Sequence, residues 1–152
     1  MARLSLMTLA VALLLAGCVH NRVGSPLTAA DPGKSKFGAY CSGCHVNDAV
    51  TSGPAPTLEK SSWVTGPEGR TIRIVLHGVG GPIEVVGKTY DLTMPGFAPV
   101  LTDAEIASLV SYVRSRFGGV NTPISAATVG EIRAANQGRH EYWTVAELLN
   151  LR

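Results

Sequence analysis

The sequence predicts a small, mainly α-helical domain with a short helical C-terminal extension. Three observations carry this expectation. Thr102 to Gly118 repeats its apolar residues at helical spacing, between a start signal and a stop signal. Two shorter segments of the tail open on capping residues. The rest of the 152 residues is rich in breakers, with 17 Gly and 9 Pro in the whole chain, and no parallel βαβ pattern can be drawn through it. A chain so rich in loops has a thin core of its own. An apolar group filling its middle would explain how it folds.

The first element is not part of the domain. Arg3 supplies one positive charge, and Leu4 to Ala16 is uncharged and mostly apolar. That run is shorter than the roughly 20 residues a spanning helix takes and fits the apolar region of an export signal. It ends Leu15-Ala16-Gly17-Cys18. This ending resembles the bacterial lipobox, in which the cysteine is lipidated and becomes the first residue after cleavage. The expectation is therefore a lipoprotein signal over residues 1–17 and a lipidated Cys18 with a flexible tether over 18–32. The domain follows at 33–118, and the extension at 119–152. Residues 19–32, rich in Pro, Gly and small polar residues, suit a tether. The chain is expected on the periplasmic side, held at a bacterial membrane by its lipid, in an oxidising compartment. Removal of the leader leaves Cys41 and Cys44 as the only other thiols and Met94 as the only methionine. The mature chain is near neutral, with no basic stripe to bind nucleic acid.

Along the domain, "KSKFGAYC" after Pro32-Gly33 is a short helix candidate, with Phe37 and Tyr40 as its bulky residues. Val46 to Gly69 reads as loop, since Gly53-Pro54-Ala55-Pro56 cannot be regular structure. Arg70 to His77 has apolar residues at 72, 74, 75 and 76. It fits strand or helix on pattern alone, and is ended by Gly78 and Gly80-Gly81-Pro82. Residues 83–93 are irregular, with room for a short hairpin through Val85-Val86-Gly87-Lys88-Thr89. The main helix starts at Thr102, where "TDAE" forms a capping box with Glu105. Ile106, Leu109, Val110, Val113 and Phe117 follow at helical spacing. Arg114 and Arg116 suit the carboxyl end, and Gly118-Gly119 stops it. In the tail, one helix is expected near 126–136 with Ser125 as cap. Another is expected near 145–150, where Thr144 and Glu147 form a second box.

The chemistry is concentrated in "CSGCH", Cys41 to His45. A redox dithiol would follow a strand and open a long helix in a βαβ unit, whereas this one runs into a Gly-Pro loop. A structural zinc site needs four ligands, usually two such pairs, and there is no second pair. The third reading is covalent attachment of a c-type haem, for which Cys-x-x-Cys-His is the recognised signature. Cys41 and Cys44 add across the two vinyl groups, and His45 supplies a nitrogen to the iron. For the sixth ligand the mature chain offers Met94, His20, His77 and His140. Met94 is favoured. It sits in "DLTMPGF", an irregular polar stretch where a core methionine is unexpected, with enough chain after His45 to pass around the group and return. Thioether ligation would raise the reduction potential relative to two nitrogen ligands. His77 is expected to be a satisfied pocket residue, and His20 and His140 to face solvent.

From Gly33 to about Gly118 the chain resembles a class I, monohaem cytochrome c. The likeness rests on Gly33 and Phe37 before Cys41, on Leu109 and Tyr112 in the last helix, on Pro56-Thr57-Leu58, and on Met94-Pro95. It implies that Gly33 lets the last helix cross closely, at a point lined by Leu109 and Tyr112. It implies that the carbonyl of Pro56, or of its rival Pro54, accepts a hydrogen bond from His45. It also places Leu58 and Phe97 in the pocket wall, and implies one covalent haem c with His45 and Met94 as axial ligands. Trp63 and Tyr90 are candidates for the wall or for propionate contacts, though packing explains them equally well.

With both axial positions filled, the expected role is electron transfer without substrate chemistry of its own. "HGVGGPIEVVGKTYDLTMPGF" and the main helix resemble cytochrome c domains of periplasmic dehydrogenases or oxidases, and the tail resembles extensions on cytochrome subunits of alcohol or aldehyde dehydrogenases. A dehydrogenase donor and a respiratory acceptor are therefore expected. Alternatives are an open iron serving as a peroxidase or gas sensor, or donation to a nitrite reductase or terminal oxidase. The tail is expected either to dock a partner or to bury Ile132, Trp143 and Leu148 on its own domain.

Overall fold

The computed structural model describes residues 31–45 and 53–151. The expected signal, Cys18, His20 and most of the expected tether lie outside these residues, as does 46–52. Six helices and one hairpin follow in order: α1 (Pro32–Tyr40), α2 (Ser62–Thr65), α3 (Glu68–His77), β1 (Pro82–Val85), β2 (Lys88–Asp91), α4 (Asp103–Gly118), α5 (Ala126–Ala135) and α6 (Val145–Leu149). The fold is mainly helical, as the sequence predicts. Among the described residues no helix is long and apolar enough to cross a membrane.

α1 begins at Pro32, whose fixed φ suits a first helical position. Asp31 caps it, Oδ1 accepting from the Gly33 amide at 2.9 Å. α1 packs across α4 at Gly33, which is buried. A Cβ on Gly33 would stand 2.2 Å from the Ser108 carbonyl oxygen and 2.6 Å from Tyr112 Cβ. Above this crossing the Phe37 ring lies 5.7 Å from Tyr112 and 5.2 Å from Phe117. The close approach implied for Gly33 is therefore present, with Tyr112 and the Ser108 main chain at the contact, while Leu109 lines the cavity instead. Lys36 and Glu105 add an ion pair between the two helices.

The stretch expected to be loop up to Gly69 contains α2 and the start of α3. Ser61 caps α2, and Pro67 precedes α3, whose first residue is Glu68. Arg70 to His77 is helix. Thr71, Ile72, Ile74, Val75 and Leu76 are buried along it, and a helix two turns long cannot be told from a strand by such a run. Gly78 ends it at φ 77°. The hairpin forms where expected, with Ile83 paired to Tyr90 and Val85 to Lys88. Its turn residues Val86 and Gly87 both have positive φ, the two-residue geometry that suits strand twist.

α4 carries the complete capping box of Thr102 and Glu105. Ile106, Leu109 and Val110 sit at the centre of the core with Ile72 and Leu76 of α3. Arg114 departs from its expected role at the helix end. It is 6% exposed and donates to the carbonyls of Val64 and Gly66, each at 2.8 Å. It thus pins α2 to α4 from inside. The extension packs on its own domain. α5 lies against α3 and α4, with Val129 fully buried. Trp143 and Leu148 join Ile74 and Val79 in a second cluster, and Ile132 packs against the first.

Candidate functional site

Between α1, the end of α2, α3, the hairpin and the Met94 segment lies a cavity of about 330 Å³. Its size falls in the range of roughly 300–1,000 Å³ typical of cofactor and ligand sites. Cys41, Cys44, His45, Pro56, Leu58, Met94 and Phe97 all line it. The structure thus brings residues far apart in sequence to one chamber. Val75, Leu109 and Val113, which belong to the core, form part of its wall.

The cysteines come from the turn that follows α1. The Cys41 amide donates to the Phe37 carbonyl at 2.9 Å, and the Cys44 and His45 amides both donate to the Cys41 carbonyl, at 3.1 and 2.8 Å. This winding lets one turn present both thiols to the same chamber, with Cys41 buried and Cys44 exposed. Burial, with a smaller contribution from Cys44, pushes the Cys41 thiol up to about 11. A redox dithiol needs the opposite shift, because the thiolate is the attacking species. No group of three His, Cys, Asp or Glu placed to hold a metal ion occurs among the described residues. The upward shift of Cys41 counts against the dithiol reading.

His45 Nδ1 donates to the Pro56 carbonyl at 2.9 Å. This decides between Pro56 and Pro54. It fixes the ring's tautomer and orientation and leaves Nε2 without its proton, free to ligate a metal. Burial lowers the His45 pKa, against an upward pull from the Pro56 bond. The neutral imidazole that iron needs is therefore the favoured form. Met94 is half-buried and is held through its main chain: its amide donates to the Val79 carbonyl at 2.9 Å, and its carbonyl accepts from the Val79 amide at 3.1 Å. These bonds leave the side chain free to face the chamber. A dithiol edge, a histidine with one nitrogen spare, a thioether and carbon walls together fit an iron porphyrin in ligand chemistry and in polarity.

Trp63 and Tyr90 both line the cavity. The Trp63 indole N–H donates to the Glu84 carbonyl at 2.9 Å, so it also ties α2 to the hairpin. His77 is a correction: it does not line the chamber, and its buried Nε2 has no hydrogen-bond partner among the described residues. It is the last residue of α3. Burial and the charges of Arg139 and Arg133 in the extension lower its pKa. His140 is exposed, as expected. Sequence reasoning missed the part played by Val79, a residue of no special chemistry whose main chain pairs with Met94.

Comparison with known proteins gives a consistent picture. Residues 28–113 match the family profile described as cytochrome C oxidase, cbb3-type, subunit III. The chain is 30% identical over 132 residues to the fructose dehydrogenase cytochrome subunit of Gluconobacter japonicus, which covers 81% of this chain and 26% of that one. It is 31% identical over 107 residues to the gluconate 2-dehydrogenase cytochrome c subunit of Pantoea cypripedii, covering 66% of this chain and 24% of that one. It is 29% identical over 110 residues to cytochrome c-552 of Thermus thermophilus, covering 66% and 83%. The chain thus spans only a minor part of the two dehydrogenase subunits and most of the free-standing cytochrome.

Proposed function

Since the chain belongs to the c-type cytochrome domain family described as cbb3-type cytochrome c oxidase subunit III, and so carries covalently bound haem c, we propose that it is a one-electron carrier serving a dehydrogenase. Cys41 and Cys44 would hold the group covalently, and His45 and Met94 would supply nitrogen and sulfur ligands to its iron. Haem c, once bound, supplies a one-electron couple whose potential is set by its ligands, their hydrogen bonds and burial. The observation that carries this reading is the convergence of His45, oriented by Pro56, and Met94, held by Val79, on one apolar chamber.

Each residue then has a definite task. Pro56 keeps the His45 ring turned and makes its free nitrogen more basic. Leu58, Phe97 and the core wall exclude water, which favours the less charged ferrous form. Met94, on the cavity wall, would take the remaining ligand position and so keep small molecules from the iron. Tyr40, 42% exposed, and Leu92, 48% exposed, also line the chamber and give a partner an apolar landing where electrons enter and leave. With a near-neutral chain, docking rests on that contact more than on steering by charge. The names of two relatives support a dehydrogenase as donor, and the family description supports a respiratory oxidase as acceptor. The test is a redox titration with a carbon monoxide control. The titration follows a single one-electron curve and the reduced protein takes up no carbon monoxide. Rapid uptake means an open iron and the sensor or peroxidase class.

Cys18 holds the domain at the membrane. Cys18→Ala is expected to move the haem-bearing protein from the membrane fraction to the soluble fraction. Unchanged membrane retention would remove the lipid anchor from this reading.

A further inference from the structure

The segment from Leu92 to Leu101 carries Met94 and has no helix or strand of its own. Its main chain is held from outside at three places. Met94 exchanges both main-chain hydrogen bonds with Val79. The amides of Phe97 and Ala98 donate to the carbonyls of Val75 and Leu76 in α3, at 2.9 and 3.0 Å. The third hold comes from the extension. Arg133 of α5 donates from Nη1 to the Ala98 carbonyl at 2.7 Å and from Nη2 to the Leu101 carbonyl at 2.8 Å. Its Nε meets Asp103 at 2.7 Å.

The extension returns to the same place a second time. The Trp143 amide donates to the Gly78 carbonyl at 3.1 Å, and the Trp143 carbonyl accepts from the Gly80 amide at 3.0 Å. Val79 therefore lies between Met94 on one side and Trp143 on the other. Trp143 is fixed in turn: it is buried beside Ile74, Val79 and Leu148, and the Arg139 guanidinium lies 3.5 Å from the centre of its ring. Arg139 also grips Glu147 of α6. The extension thus holds the far end of the Met94 segment directly, through Arg133, and its near end through Val79, which Trp143 flanks.

We propose that the C-terminal extension is a clamp that keeps Met94 in the site, with Trp143 and Arg133 as its positioning residues. The inference rests on Met94 being the sixth ligand. A ligand that competes for that position binds only molecules whose Met94 has withdrawn, so its apparent affinity scales with the withdrawn fraction. Loosening either hold raises that fraction without touching the iron's surroundings directly.

The experiment is imidazole titration of the oxidised, full-length, haem-bearing protein, with the weak long-wavelength absorption band of thioether-ligated ferric haem followed in parallel. Trp143→Ala and Arg133→Gln are each expected to bind imidazole about tenfold more tightly than wild type, with a weakened band. Arg116→Gln, which breaks the exposed pair with Glu59, is the control and binds as wild type does. If Trp143→Ala does not accumulate, Arg133→Gln decides, since its side chain is partly exposed and fills no core space. Variants that lose thermal stability but keep wild-type imidazole affinity and band overturn the clamp while leaving Met94 ligation intact. A wild-type protein without the band, whose Met94→Ala variant binds imidazole no more tightly, overturns the ligand assignment and the clamp with it.

Discussion

Replacing Met94 by Ala is expected to lower the reduction potential by about 0.2 V, a quarter of the roughly 0.8 V that axial ligation spans. That is about three decades in the ferric–ferrous equilibrium at about 59 mV per decade. The direction follows from the ligand. A thioether is neutral and polarisable and stabilises the reduced iron, and its loss admits water, which favours the oxidised form. The fold is expected to survive, because Met94 is tied to Val79 by main-chain bonds that Ala keeps. The half-buried side chain also leaves a cavity only partly closed to solvent. The variant should therefore bind carbon monoxide and imidazole while keeping its covalent haem. Potentiometric titration checks this. A variant with an unchanged potential and spectrum would mean that some other side chain fills the sixth position.

The largest expected loss of stability comes from Gly33→Ala. The added methyl would sit 2.2 Å from the Ser108 carbonyl oxygen and 2.9 Å from its carbon, both main-chain atoms of α4 that cannot rotate away. α1 must lift off α4, and Phe37 loses its contacts with Tyr112 and Phe117. Overpacking of this kind costs about 3 kcal/mol. Better helix propensity returns about 1 kcal/mol. The net change lowers the melting temperature by about 10 °C for a domain of this size. Gly38→Ala, in the same helix, should act in the opposite direction. Nothing lies within 4 Å of its added methyl, so only the propensity gain of about 1 kcal/mol remains. Thermal melts of the two variants, compared side by side, check the crossing. Equal shifts would mean that α1 and α4 do not meet at Gly33.

The helix ends were legible in the sequence because caps are local. Thr102 with Glu105, Ser125, and Thr144 with Glu147 each act within one turn, and each starts a helix in the structure. Cys41, Cys44 and His45 were legible for the same reason, since five consecutive residues carry the whole signature. What stayed hidden depends on partners distant in sequence. Arg114 looked like a cation at a helix end, but two carbonyls 48 and 50 residues away draw it inward. Arg70 to His77 is a run of buried residues on a short helix, and only contact with α4 and α5 shows why it is apolar. Val79 has no chemistry of its own to flag it. Its importance appears only when Met94 and Trp143 come to either side of it.

The extension changes how such a domain should be regarded. Its packing buries Val129, Trp143 and Leu148, and its Arg133 reaches the segment that carries Met94.

The most direct test of the account is the intact mass of the mature protein, purified from a host that can attach haem and measured after denaturation. The chain is expected to carry the mass of one haem, lost when Cys41 and Cys44 are both replaced by Ala. A colourless chain with two free thiols from the same host would contradict it.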